Sequence, residues 1–400
     1  MRPKIGEILI YDAVIVGAGA AGLFAAINLR AKSVLIVEKN ALVGRKILAS
    51  GGGRCNITNA NLSAKNYLGD ENFISQILRR LSVDELLSVF APLEFGLEKN
   101  AQYFCKNHSR AVLQKLLSMA QKNCEIRTNC EICEISKSGE IFNVLSVKGE
   151  KFCAKNLIIA TGGPSFRALG ASDSALSFAV SFGIKCEKFR PALVGLCVQK
   201  SEFWFKNLSG VSLPLRAKLA GREIAGEALF THRGISGPAI LNVSLFWRSG
   251  KITLNFAPNH NMQSLKKALN GGKKQLSSLP FLPKRFVLEF LRSQNLQDKI
   301  FSKYSESELE KIARIFSYEF APAGTFGFEK AEISAGGVCT DELGADCESK
   351  KIPGLYFAGE CIDASGMLGG YNLHFAFASA LCVARAINSK LSARNLAKFG

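Results

Sequence analysis

The chain has 400 residues, of which 48% are hydrophobic and 21% charged, which excludes a disordered or low-complexity protein and leaves length for two or three packed units. Its formal net charge of +18 points to an acidic partner such as RNA, DNA, an anionic membrane or a phosphorylated ligand, with a merely lysine-rich surface as the plainer reading. Twelve cysteines are too sparse for a disulfide scaffold, and their place in apolar runs such as VGLCVQ and ALCVAR fits reduced thiols in a cytoplasm. In chain order, Arg2 and Lys4 ahead of an apolar run imitate a secretory signal, which Glu7 and Asp12 interrupt. No run of eighteen uncharged apolar residues occurs, so no transmembrane span is expected.

The β-branched run DAVIV predicts a strand ending at Gly17, and a helical pattern begins near Ala20. Between them, GAGAAG places Gly17, Gly19 and Gly22 at the spacing that allows a tight turn, close backbone approach to a pyrophosphate, and helix against strand. The helix start at Ala20 and Ala21 offers free N–H groups to phosphate. A second strand, SVLIVEK, ends at Glu38, sixteen residues past Gly22, where a carboxylate accepts ribose hydroxyls and repels a 2′-phosphate. The unit therefore favours FAD or NAD over NADP.

Next comes SGGGRCNITN, in which Gly51, Gly52 and Gly53 make a bare main chain beside Arg54 and Cys55. Farther on, NCEICEI carries Cys130 and Cys133 at CxxC spacing, but no second pair or suitably spaced histidines accompany them. The alternation reads as a half-buried strand, and no metal site is expected. AKNLIIATGGPS sets a buried strand before Thr161, Gly162 and Gly163, and GLYFAGECID ends another at Gly359 and Glu360, with Asp363 close behind. An N-terminal GxGxxG, a mid-chain ATG turn and a C-terminal glycine-acid pair are the trio of two-dinucleotide flavoproteins, in which the last acid holds the ribityl chain. A helix from about Gly370 then aims its positive end at the flavin's pyrimidine edge. No second GxGxxG occurs, so NAD(P)H is expected only as a transient reductant.

From Pro191 to about Leu245, short β-like runs alternate with glycine turns, and FTHRGISGPA sets His232 beside Arg233 as acid, base, substrate clamp or simple turn histidine. Residues 261–320 shift to helical composition. From Lys251 to Lys303, ten basic residues face only Glu289 and Asp298, a net of +8 that suits phosphate-backbone contact or a solvated face.

Taken together, GRKILASGGGRCNITN, ATGG, PALVGL, GEALFTHRGISGPAILNVS, SAGGV, ESKKIPGLYFAGECID and GGYNLHFAFASA resemble the bacterial flavoprotein family of YhiN-like and BaiN-like proteins, nearly end to end. The resemblance implies an α/β Rossmann-like two-dinucleotide-binding flavoprotein fold, discontinuous in sequence, with an inserted β-rich domain and a small helical insert. It places the FAD domain at 1–190 and 345–400, the β-rich substrate domain at 191–255 and 321–344, and a basic helical domain at 256–320. It adds Lys39, Arg45, Lys46, Ser50, Asn56, Gly369, Tyr371 and Asn372 to the FAD contacts. Family members are associated with reduction of conjugated double bonds, including dihydrouridine formation in ribosomal RNA and steroid enone reduction, and some are labelled amine oxidases. A non-enzymatic RNA-binding flavoprotein is a further reading. Arg54 would neutralise phosphate or a substrate oxygen, and Cys55, with an ordinary thiol pKa of about 8.5, or His232 would supply the proton, with Cys55 packed in a tight loop as the equal alternative reading. The chain departs from the family in GASDSAL, where Asp173 stands between Ser172 and Ser174, and at His374 and Arg385.

Overall fold

The computed structural model describes residues 9–396; Arg2, Lys4 and Glu7 of the signal-like run lie outside them. Two compact units divide the chain, the first from residues 1–190 and 333–400, the second from 191–332.

The first unit is organised by a five-stranded sheet in the order Leu355–Phe357, Leu157–Ile159, Ala13–Val16, Val34–Val37, Glu125–Arg127. Every neighbouring pair is parallel, with Ile15 opposite both Ile36 and Ile158. Strands buried on both faces need unbroken apolar sequence, and AVIV, VLIV and LII supply it. Helix Ala20–Asn28 packs against the long helix Tyr371–Leu396, with Phe24 and Phe377 ring centroids 4.9 Å apart. Parallel strands put all their carboxyl ends on one edge, so Gly17, Glu38, Ala160 and Ala358 emerge side by side.

A second sheet of this unit runs Ile10–Tyr11, Lys151–Ala154, Ile141–Ser146, Ile132–Ser138. Cys133 lies exposed on its last strand, where Ile132 and Ile135 are buried, and Cys130 is buried just ahead of that strand. Among the described residues no group of three His, Cys, Asp or Glu side chains could hold a metal ion, and no helix is long and apolar enough to cross a membrane.

The second unit holds a seven-stranded sheet in the order Tyr318–Phe320, Ile252–Asn255, Ser212–Leu219, Arg222–Thr231, Gly234–Ser236, Leu196–Cys197, Gly324–Thr325. Its strands alternate as antiparallel sheets with one covered face require: Leu213, Leu215 and Ala217 point into the core between outward-facing neighbours. Helix Lys284–Ser293 buries Phe286, Val287, Phe290 and Leu291 along one side. Phe286 lies 4.9 Å from Phe256 and 6.0 Å from Trp204, centroid to centroid.

This shared core changes the expected division. Residues 256–320 form no separate helical domain, because their apolar face is the other half of the β-rich unit's core. Return to the first unit comes at Ile333, not at 345, because Ile333–Val338 pairs with Cys186–Ala192 in a two-stranded sheet and is buried throughout.

Candidate active site

At the carboxyl edge of the parallel sheet, the Gly17 loop is built by close backbone approach. Gly17 has φ +108°, and a Cβ there would lie 2.5 Å from the Ala160 carbonyl oxygen, so the first loop and the ATG turn touch through bare main chain. A Cβ on Gly22 would lie 1.9 Å from the Gly17 oxygen, which fixes the helix against the loop, whereas one on Gly19 would meet nothing within 4 Å. Gly19 caps helix Ala20–Asn28 without any side-chain acceptor, leaving its first-turn N–H groups, those of Ala20 and Ala21 included, for a phosphate.

Glu38 is buried at the tip of the next strand. Its Oε2 accepts from the Ala18 N–H at 2.9 Å, and its Oε1 accepts from Asn40 N at 2.9 Å and Asn40 Nδ2 at 2.7 Å. A carboxylate has about four acceptor positions, so capacity remains for a hydroxyl donor. Arg45 reaches the Ala168 carbonyl at 3.2 Å.

Glu360 joins distant segments. Its Oε2 lies 2.5 Å from Lys46 Nζ, and its Oε1 accepts from the Ser334 N–H at 2.7 Å. The Ser334 hydroxyl in turn accepts from Ser165 N at 2.9 Å, directly after the ATGG turn, and a Cβ on Gly163 would press on Ser334 Cβ at 2.6 Å. The carboxylate is thus held from the early chain, the middle and the returning segment. Glu360→Ala removes a charged acceptor from this junction, and FAD affinity is expected to fall about tenfold to 100-fold in a titration of flavin fluorescence.

The turn Ser50–Gly53 carries φ +56° at Gly51, +64° at Gly52 and +86° at Gly53, a left-handed path that side-chain-bearing residues rarely adopt. Added Cβ atoms at Gly52 and Gly53 would meet nothing within 4 Å. The turn leads into strand Asn56–Asn59, which pairs with Gln102–Cys105. Asn56 donates from Nδ2 to Gln102 Oε1 at 2.7 Å while its Oδ1 is buried without a partner, as is Thr161 Oγ1. Buried polar atoms without partners are costly. With the bare backbone at Gly19, Gly52 and Gly53, they suit a ligand rich in hydroxyls and amides, and FAD fits this donor and acceptor set.

Gly369 and Gly370 precede helix Tyr371–Leu396, and a Cβ on Gly370 would lie 2.4 Å from the Thr58 oxygen. Asn372 pairs with both backbone groups of Gly366 at 2.8 Å, so its side chain locks the loop ahead of the helix. Tyr371 accepts from the Tyr67 hydroxyl through its carbonyl at 2.8 Å. His374 is fully buried, bonded to Thr58 Oγ1 at 2.7 Å and the Leu81 carbonyl at 3.0 Å. A carbonyl only accepts, so Nε2 carries the proton and Nδ1 accepts from Thr58.

A Rossmann-domain family described as HI0933-like matches residues 11–386. The chain belongs to the HI0933-like family. Among curated HI0933-like relatives, the chain is 34% identical over 392 residues to a Haemophilus influenzae protein named ribosomal RNA dihydrouridine synthase, covering 94% of this chain and 98% of that one. An Escherichia coli protein of the same name is 32% identical, over 94% of this chain and 97% of the relative. A Clostridium scindens protein named 3-dehydro-bile acid delta(4,6)-reductase is 30% identical, over 93% and 98%. Among solved structures, quinol fumarate reductase FrdA from E. coli aligns with TM-score 0.51 at 14% identity, over 96% of this chain and 71% of that one, a likeness of fold.

In this HI0933-like chain, the first unit gathers Gly17, Glu38, Lys46, Asn56, Thr161, Glu360 and Gly370 around one sheet edge and its loops, while His232 belongs to the second unit. There it stands exposed on the turn between Arg222–Thr231 and Gly234–Ser236, beside Arg233, whose guanidinium lies 4.8 Å from the Phe326 ring centroid. Arg54 is committed to Glu98 at 2.7 Å and stacks 4.1 Å from the Phe104 centroid, half-exposed. Cys55 has two readings, proton donor or packing thiol, and its burial bears on the choice. Its side chain is fully buried and its thiol is pushed up to about 12 by that burial, with Cys105 adding to the rise against a Ser50 hydrogen bond. The value near 8.5 belongs to a solvated thiol, so burial favours packing at the glycine turn over proton donation near neutral pH for Cys55.

Sequence reasoning missed Asn40, Gln102 and Ser334. Ser334 lay within the quoted SAGGV block, but its bond to Glu360 spans 26 residues and no local spacing announces it. His374 makes one pH prediction. Burial pushes it down from 6.5 to about 4, so on acidification the unfolded chain takes the proton first. Stability is expected to fall by about 3 kcal/mol between pH 6.5 and 4, and urea unfolding of His374→Gln should lack that decline.

Proposed function

We propose that this chain is an FAD-dependent oxidoreductase that adds hydride to a polarised C=C bond, with uracil in ribosomal RNA as substrate. The 34% identity to a ribosomal RNA dihydrouridine synthase over 98% of that protein carries the reading. When bound, FAD supplies the hydride donor, reloaded by NADH or NADPH as a transient reductant. Reduction of the uracil 5,6 bond adds hydride at C6 and a proton at C5, the order that conjugation with the 4-carbonyl dictates.

In this reading the first unit is the FAD domain and the second the substrate domain. Glu38 accepts adenosine ribose hydroxyls, the Gly17–Gly22 loop meets the pyrophosphate, and Lys39, Arg45 and Lys46 offset its charge. Glu360, with Asp363 nearby, takes the ribityl hydroxyls. Ser50, the glycine turn and Asn56 would hold the flavin, and Gly359, Gly369, Gly370 and the first N–H groups of the last helix would offer it backbone contacts. With Cys55 buried, the proton falls to His232. RNA contact falls to the second unit, where Lys266, Lys267, Lys273, Lys274, Lys284 and Lys303 are exposed and make no ion pair among the described residues, whereas Lys251 pairs with Glu319 and Lys299 with Glu308. Ribosomal RNA places the work in the cytoplasm.

Mass spectrometry of ribosomal RNA from a deletion strain tests the reading: dihydrouridine should be lost and return with a plasmid copy. An unchanged modification profile rejects RNA as substrate. A small conjugated enone is then the second reading, favoured by the 30% identity to the bile acid reductase and tested by enone-dependent NAD(P)H oxidation.

A further inference from the structure

The turn Lys200–Leu208 contains three consecutive aromatics with different fates. Trp204 is buried and donates from Nε1 to the Tyr318 hydroxyl at 3.1 Å, and Phe205 is fully buried against Phe230 at 5.0 Å between centroids. Phe203 is 44% exposed, so the core makes little use of its ring. A single exposed apolar side chain is ordinary on any protein, and only its surroundings make this one informative. Lys206 holds its ammonium 3.6 Å from the Phe203 ring centroid, and Lys200 on the same turn is exposed.

Helix Lys284–Ser293 lies directly beside this turn. Arg285 donates to the Asn207 carbonyl and, at 3.3 Å, to the Ser209 carbonyl, which brings Lys284 next to the turn. The carboxylates of these two elements have partners: Glu202 is buried and accepts from the Ser201 hydroxyl at 2.6 Å, and Glu289 is buried and accepts from Asn207 Nδ2 at 3.0 Å. Their outer face therefore combines an aromatic ring with exposed Lys200, Lys284 and Arg285 and half-buried Lys206, and none of the four makes an ion pair among the described residues.

We propose that Phe203 with Lys200, Lys206 and Lys284 forms a docking surface for single-stranded RNA, a base stacking on the Phe203 ring and the lysines meeting adjacent phosphates. Two features favour RNA over an acidic polypeptide: a flat aromatic ring accepts any base, and cations beside it match the phosphate that every base carries. The inference rests on the RNA-substrate reading, which it extends by naming where the strand lies.

The test uses flavin-loaded full-length protein and a fluorescein-labelled single-stranded RNA corresponding to a ribosomal segment. Phe203→Ala should weaken binding about tenfold, and a Lys206→Ala, Lys284→Ala double variant should lower the slope of log affinity against log salt by about 1.4. Flavin absorbance and NAD(P)H-dependent flavin reduction should be unchanged in both, which shows that the variants fold. Variants binding within twofold of the parent at every salt concentration overturn the surface, whether or not dihydrouridine depends on the gene. Equal losses for a polyglutamate peptide would also overturn it, since the ring would then carry no preference for bases. If the deletion strain keeps its dihydrouridine, the substrate reading falls on that separate measurement.

Discussion

Gly22→Ala is expected to abolish flavin retention and to destabilise the first unit by about 3 kcal/mol, read by urea unfolding and by absorbance of the purified protein. The new methyl would sit 1.9 Å from the Gly17 carbonyl oxygen and 3.3 Å from Ile15 Cγ2. Relief requires the helix start and the loop to separate, and overpacked contacts of this kind cost about 1–3 kcal/mol or more. The same separation moves the Ala20 and Ala21 N–H groups from the phosphate position. Gly19→Ala is the control. It has an ordinary backbone, with φ −85°, and open space at its Cβ, so it should unfold within about 0.5 kcal/mol of the parent yet bind FAD more weakly. Equal stability losses in both variants would show that packing at Gly22 is not what holds the loop.

Under the proposed reaction, His232→Ala should lower kcat for uracil reduction about 100-fold while flavin content and NAD(P)H-dependent flavin reduction stay constant. Reduction requires a proton on the substrate carbon, and an acid works well when its pKa lies near the working pH. The Cys55 thiol, pushed up to about 12 in a fully buried position, is poorly matched to that task. His232 stands exposed on its turn, and an imidazole can donate a proton. Cys55→Ser is accordingly expected to keep kcat within about threefold. If the thiol were the donor, Cys55→Ser would fall about 100-fold and His232→Ala would not, and the two single variants assayed side by side separate these cases.

Local spacing made the dinucleotide unit legible. The residues of DAVIV, GAGAAG and SVLIVE act on neighbours within a few positions, so the strand, turn, helix, strand and acid follow from periodicity and glycine placement. The ATGG and GECID segments were legible for a similar reason, since each ends a short apolar strand. What the sequence hid depends on contacts between distant residues. The Glu360–Lys46 pair joins positions 314 apart, and Cys55 is buried beside strand Gln102–Cys105, whose Cys105 N–H donates to the Cys55 carbonyl at 3.3 Å. The division at 256–320 misled because lysine-rich helical composition reports the exposed face of helix Lys284–Ser293, while the face that decides domain membership is the one carrying Phe286 and Phe290 onto Trp204. At GASDSAL, Ser172 and Ser174 bond to each other through their hydroxyls at 3.1 Å, and helix Ser174–Ser181 begins directly after Asp173.

The central claim is that residues 17–22, 38–56, 160–163 and 359–372 hold one FAD between them. Equilibrium dialysis of the purified chain against FAD, followed by a visible spectrum of the retained protein, tests it most directly. One flavin per chain, with an absorbance band near about 450 nm that Glu360→Ala weakens, is the expected result. A chain that stays colourless and takes up no flavin would contradict it.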